Sequence, residues 1–302
     1  MHFPSLPRCG LFQFAVLFGF TLQPSTPVVA HDTFFRVPNH HVAVGEPVEV
    51  SVFHGTFDES VLRIDTDHVE KLVFIGPGIR QDIGTSNWVQ VDFGSRPWVK
   101  WQALRASLGF IDKRLTSHFS VMAPVEGSYV VAMSLNPAGA AMAPEVFDKY
   151  LREQGLQDEA VARHGIAAPN AIITERWLKY VKLFLQAGKS LTPEVTRPAG
   201  LVVEFVPLTH PAEARPGDTV VFQLLYRGKP LPDQPVIVGR PTPAFGEAAT
   251  HDYSRSDDKG LISVPIDEHG VWWLSFVHII PLEDDPEFAW ESRWATLTFE
   301  IP

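Results

Sequence analysis

Histidine is the residue type whose placement in this chain could support chemistry. Twelve occur, and three sit where a strand or a cleavage would present them. His31 follows Ala30 in the stretch TPVVAHDTFF (27–36). A cut between Ala30 and His31 would give one residue two nitrogen donors, the α-amine and the imidazole. An α-amine has a pKa near 8, so a divalent ion displaces its proton at modest cost near neutral pH. A second histidine would complete a three-nitrogen site of the kind that favours Cu(II) or Ni(II). His54 extends the alternation of Val48, Val50 and Val52 and so points inward at a strand end. His278 does the same beyond Trp272, Leu274 and Phe276. Counting back from Phe299, Leu297 and Ala295 puts Glu291 and Arg293 on the inward face as well. Glu291 is then a metal ligand, an acceptor that orients His278, or the partner of Arg293. For His54 and His278 the plainer alternative is a rim imidazole bonded to a backbone carbonyl. His40 and His41 are consecutive in a turn-like PNHHVAVG, and the remaining histidines sit in polar or turn contexts.

The cut itself is legible upstream. Arg8 is the only charged side chain before Asp32, and LFQFAVLFGFTL (11–22) is almost wholly apolar. A polar, Pro-containing break and Val28-Val29-Ala30 follow. That is the layout of a secretory signal peptide, and the apolar run is shorter than the roughly 20 residues a membrane span needs. Residues 1–30 are therefore expected to leave on export to the periplasm. They take the single cysteine, Cys9, with them. The mature chain of 272 residues then has no thiol, which excludes thiolate catalysis, Fe–S clusters and cysteine-bound zinc. Loss of Arg8 leaves 24 basic against 35 acidic side chains, a net charge of −11. This disfavours nucleic acid and anionic membranes as partners.

The elements that must position these residues are mostly strands. VGEPVEVSVFHG (44–55) and RPGDTVVFQLLYRG (215–228) each open on a Gly turn and continue with period-two alternation. Strands are also expected at 69–76, 88–94, 127–135, 201–208, 234–240, 260–266, 270–280 and 293–301. PEVFDKYLREQGL (144–156) has a helical stripe of Val146, Phe147, Tyr150 and Leu151. TERWLKYVKLFLQAG (174–188) reads as a second helix, with Thr174 as cap, a stripe of Ile173, Trp177, Val181 and Phe184, and a Glu175–Lys179 i,i+4 pair. The expected architecture is mainly β. It has two Ig-like or prealbumin-like β-sandwich domains at 31–137 and 199–302, joined by a helical bridge at 138–198.

Hydrolase, zinc-protease and nucleotide-binding signatures are absent. The Ala-His-Asp-x-Phe-Phe start resembles that of the exported bacterial domain-of-unknown-function family 4198. So do FDKYLREQGL (147–156), ERWLKYVKLFLQAG (175–188), EFVPLTHPAEARPGDTVVFQLLYRGKPL (204–231), SDDKGLISVPIDEHGVWWLSFVHIIP (256–281) and WESRWATLTFEI (290–301). That family is described as the periplasmic component of cobalt/nickel ABC-type uptake systems. The resemblance implies a periplasmic protein that handles Ni(II) or Co(II) beside a membrane metal-uptake transporter; the expected role is to deliver or buffer the ion, not to act as an enzyme. It carries over His31, His278 and Glu291, whereas His54 departs from the family pattern. The expected metal set is thus His31, His278, His54 and Glu291, for Ni, Co or Cu. Two other readings use the same residues differently: an N-terminal-histidine copper oxygenase, or a structural Ig-like module without metal.

Overall fold

The computed structural model describes residues 31–58, 60–90, 116–158, 171–240 and 251–302. Most of the expected strand at 88–94 lies outside them; Val89–Gln90 is its described part. The chain is mainly β. A ten-stranded sheet runs in the order His251–Arg255, Pro235–Gly239, Gly270–Pro281, Trp290–Ile301, Ile173–Ala187, Gly127–Leu135, Val69–Gly76, Ile79–Asp82. Ala138–Met142 and His41–Val42 also pair with Ile173–Ala187. A five-stranded sheet contains Asp32–Arg36 and Pro47–Gly55. A four-stranded sheet contains Val203–Pro207 and Thr219–Tyr226.

Side-chain parity shows how the three sheets stack. Val181, Leu183, Leu185 and Ala187 of the central strand share a core with Phe35, Val50 and Val52 of the five-stranded sheet. Tyr180 and Phe184, one residue out of phase, share another with Phe205, Val220, Phe222 and Leu224 of the four-stranded sheet. The large sheet is therefore the middle layer, with a smaller sheet packed on each face. The two similar Gly-led strands sit on opposite sides of it. The expectation of two separate sandwiches changes accordingly: both packings share one sheet, which takes strands from either side of residues 138–198.

The larger correction concerns 174–188. The helix there is instead the strand Ile173–Ala187, fifteen residues long and parallel to Trp290–Ile301. A spacing of four residues is even, so Ile173, Trp177 and Val181 share a strand face as readily as a helix stripe. Phe184 does not fit that face and packs on the other core. A strand buried on both sides is apolar on both sides, which blurs period two. Thr174 caps nothing; its hydroxyl accepts from the Ala289 amide at 3.1 Å. The other predicted helix forms over Pro144–Glu153, with Pro144 in its first turn, and buries Phe147, Tyr150 and Leu151. These pack with Val277, Ile279, Trp290 and Trp294 of the large sheet.

Candidate functional site

The N-terminal strand Asp32–Arg36 pairs antiparallel with Pro47–Gly55, and Thr33 lies opposite His54. This register brings the residue just before the strand beside the strand-end histidine. The His31 and His54 rings stand 5.8 Å apart between centres, edge to face at 74°. Two imidazoles that share an ion at metal–nitrogen distances of about 2.0–2.1 Å place their ring centres on the order of 5–6 Å apart. His54 is 7% exposed, as its alternation with Val50 and Val52 requires. Its Nδ1 is 2.9 Å from the Thr33 hydroxyl. With the ring proton on Nδ1 and donated to that oxygen, Nε2 keeps its lone pair. Burial first, then the Lys179 charge and His31, push the His54 pKa down to about 2, so the ring is neutral at ordinary pH.

Beneath this pair lies a buried polar cluster supplied by the central strand. Lys179, 3% exposed, donates to the His31 carbonyl oxygen. Its ammonium also lies over the rings of Trp177 and Trp294, 5.2 and 4.7 Å from their centres. Asp32 faces it and accepts from the Ser275 hydroxyl at 2.9 Å. Glu175 accepts from the Tyr150 hydroxyl at 3.1 Å. Burial is the main cause of each shift here. It raises Asp32 to about 6 against the opposing pull of Lys179 and Ser275, and it raises Glu175. It lowers Lys179 to about 8 although Asp32 and Glu175 favour its charge. The Thr296 hydroxyl donates to the Thr33 carbonyl at 2.5 Å, a further tie between the N-terminal strand and the sheet.

His278 and Glu291 lie elsewhere. Their strands are adjacent, with His278 opposite Arg293 and Ile280 opposite Glu291. His278 continues the Trp272–Leu274–Phe276 face, which packs on the four-stranded sheet. His31, His54 and Lys179 lie on the other face of the ten-stranded sheet, so its backbone separates the two groups. The alternation placed both histidines inward, but a sheet buried on both faces has two insides. The His278 Nδ1 is 3.2 Å from the Gln234 side-chain oxygen, and its ring packs on Tyr226 at 4.8 Å. Burial, then Arg293, lower its pKa to about 4. Glu291 is bound by Arg176, whose Nε donates at 2.7 Å, and by Arg293. Its carboxylate is held between two guanidinium groups, which oppose a metal cation there.

Two further histidines have partners elsewhere, His40 buried and His41 exposed. The His40 Nδ1 donates to the Phe184 carbonyl at 2.8 Å, and the His41 Nδ1 pairs with Glu300 at 3.0 Å. Sequence reasoning missed Lys179 and Asp32 as neighbours of His31. The Glu175–Lys179 spacing was visible, but a helix would have displayed that pair to solvent, whereas the strand buries it. Among the described residues, no three His, Cys, Asp or Glu side chains gather as a metal site. Among the described residues the His31–His54 pair thus offers two side-chain nitrogens, and the main chain is a further source of nitrogen beside them.

No curated protein matches the sequence. Among solved structures, the chain is similar at 8% identity and a TM-score of 0.22 to dimeric latent PorU from Porphyromonas gingivalis. The match covers 93% of this chain and 21% of PorU, so the chain spans about a fifth of that protein. The D0-D1 domain of Intimin is similar at 9% identity and a TM-score of 0.18, over 89% of this chain and 97% of that domain's chain. Salmonella alpha-2-macroglobulin is similar at 13% identity and a TM-score of 0.21, over 90% and 19%. The family comparison is more direct, because it matches residues 28–280 from just before His31 through the strand of His278. The chain belongs to the family described as domain of unknown function DUF4198.

Proposed function

We propose that this is an exported protein that binds a divalent transition metal ion through His31 and His54. Cleavage after Ala30 frees the His31 amine, and amine, His31 imidazole and His54 imidazole supply three nitrogens. The observation that carries this reading is the 5.8 Å approach of the two rings. The scarcity of other ligands among the described residues supports it: two imidazoles alone make a weak site, and the amine is the donor that processing creates. The neutral state of His54 supports it too, since a ligating imidazole must offer a lone pair. Asp32 and Glu175 offset the Lys179 charge below the site. Three nitrogens suit Cu(II) and Ni(II), and the family resemblance implies Ni(II) or Co(II). The role is to buffer the ion or deliver it to a membrane uptake transporter, not to catalyse a reaction. His278 and Glu291 take no part in this site.

Calorimetric titration of protein beginning at His31 with Ni(II), Co(II) and Cu(II) tests the reading. Binding tighter than about 10 µM, or roughly −7 kcal/mol, is expected for at least one ion. A chain with one extra residue before His31 should bind at least tenfold more weakly. Equal binding by the two chains would remove the amine from the site.

A further inference from the structure

The geometry points to Lys179 as a positioning residue that dictates how His31 chelates. This rests on the metal reading above and adds a determinant of the site's coordination. The strand ladder ends at Asp32, paired with Gly55, so His31 lies one residue beyond the last paired position. The Lys179 ammonium crosses from the central strand and donates to the His31 carbonyl oxygen. The ammonium is fixed in turn by the faces of Trp177 and Trp294 and by the charge of Asp32. Asp32 itself is held by Ser275. Burying a lysine costs desolvation that apolar residues of the same volume would not incur. The reach of this lysine to a main-chain oxygen is therefore better explained by what that oxygen would otherwise do.

A free N-terminal histidine offers a metal two chelate rings. One uses the amine and the carbonyl oxygen; the other uses the amine and the imidazole Nδ1. Lys179 occupies the carbonyl and places a positive charge beside it, which closes the first mode to a cation. Holding the carbonyl also fixes the position of the His31 Cα, so that only rotation about the Cα–C bond is left to bring the amine and the imidazole to the metal. The amine–imidazole ring is then the mode left open, on the side where His54 stands.

The test compares Cu(II) binding and the electron paramagnetic resonance spectrum of protein beginning at His31 with those of Lys179→Arg, Lys179→Met and Asp32→Asn/Lys179→Met. The double variant removes both charges together, so that folding does not depend on a half-buried carboxylate left without the Lys179 charge. Orienting groups behind metal ligands are typically worth 10–100-fold in affinity. Both methionine variants should bind Cu(II) at least tenfold more weakly, with g values and copper hyperfine splitting moved toward mixed nitrogen–oxygen coordination. Lys179→Arg, which can still reach the carbonyl, should stay within threefold of the parent. Parental affinity and spectrum in the methionine variants, whatever their thermal midpoints, would overturn the proposal, as would tighter binding, which would mark Lys179 as a repulsive charge only. If the parent itself binds no metal, the function reading fails and this inference with it. If the parent binds and the variants match it, only this inference fails.

Discussion

On one face of the ten-stranded sheet, His54 meets His31 edge to face at 5.8 Å. On the other, His278 stands between the Gln234 side chain and the strand of Arg293. Both histidines continue the apolar alternation of their strands, and burial lowers the pKa of both. The difference lies in what covers them. A short N-terminal strand pairs beside the strand of the first and brings an imidazole. The second has an arginine across the ladder, and guanidinium, effectively always charged, makes a poor neighbour for a cation. Inward orientation thus does not make a ligand; the residue that the neighbouring element delivers decides.

The sharpest way to break this comparison is to remove each histidine in turn. His54→Ala should lower metal affinity by at least a hundredfold, because one of two side-chain donors is lost. His278→Ala should change it by less than twofold. A titration in which His278→Ala matters as much as His54→Ala would make the sheet faces equivalent and end the assignment.

The next effect is on stability and falls on the other face. Glu291 and Arg293 are each 6% exposed, and Arg176 closes the group. Removing one member of a buried charged set leaves an uncompensated charge, at a cost of about 3 kcal/mol. Glu291→Gln should therefore lower the free energy of unfolding in urea by about that amount while metal affinity stays at the parental value. Lost metal binding in a fully folded Glu291→Gln protein would return the carboxylate to the metal site.

How far the sequence led is clear from individual residues. Alternation located His54, His278, Glu291 and Arg293 on buried faces, and every one of them is buried or half-buried. The strands at 69–76 and 127–135 needed no tertiary information. What alternation cannot supply is which face is which. In a strand packed on both sides, Val277 and His278 both point inward, toward different cores. The 173–187 strand failed for a related reason: its four-residue spacings satisfy helix and strand alike, and only contact with both flanking layers separates them. The Ile–Thr and Trp–Leu–Lys–Tyr–Val content, rich in β-branched and aromatic residues, was the signal that favoured a strand. The Lys179 contact with the His31 carbonyl joins residues 148 apart, beyond the reach of any local pattern.

Acid titration compares the faces more gently. Both histidines have folded-state pKa values below the usual 6.5, so the native state binds fewer protons than the unfolded chain as pH falls. Their contribution is present above 6.5 and is lost on acidification: down to about 4 for His278, and on toward about 2 for His54. Each accounts for a slope of up to about 1.4 kcal/mol per pH unit in its window. Urea unfolding of metal-free protein should show a shallower loss between pH 6.5 and 4 for His278→Gln. His54→Gln should remain shallower below pH 4 as well. Identical profiles for the two variants would mean that the rings are equally desolvated.

The smallest effect runs the opposite way and belongs to Asp32. Its folded pKa of about 6 lies above its ordinary 3.8, because burial outweighs Lys179 and Ser275. The native state therefore holds this proton more tightly than the unfolded chain. Asp32 contributes stability that is full below about pH 4 and is lost as pH rises through 6, so it partly cancels the histidines in that window. Lys179 is the mirror case: with its pKa lowered to about 8, its contribution is full above 10.5 and is lost as pH falls through 8. Between pH 6 and 8 both groups are charged, and together they are at their least stabilising. Asp32→Asn removes the opposing slope. It should steepen the rise of unfolding free energy between pH 4 and 6 by up to about 1.4 kcal/mol per unit. An unchanged slope would mean that the carboxylate keeps its ordinary pKa, and that Lys179 and Ser275 offset burial on this face.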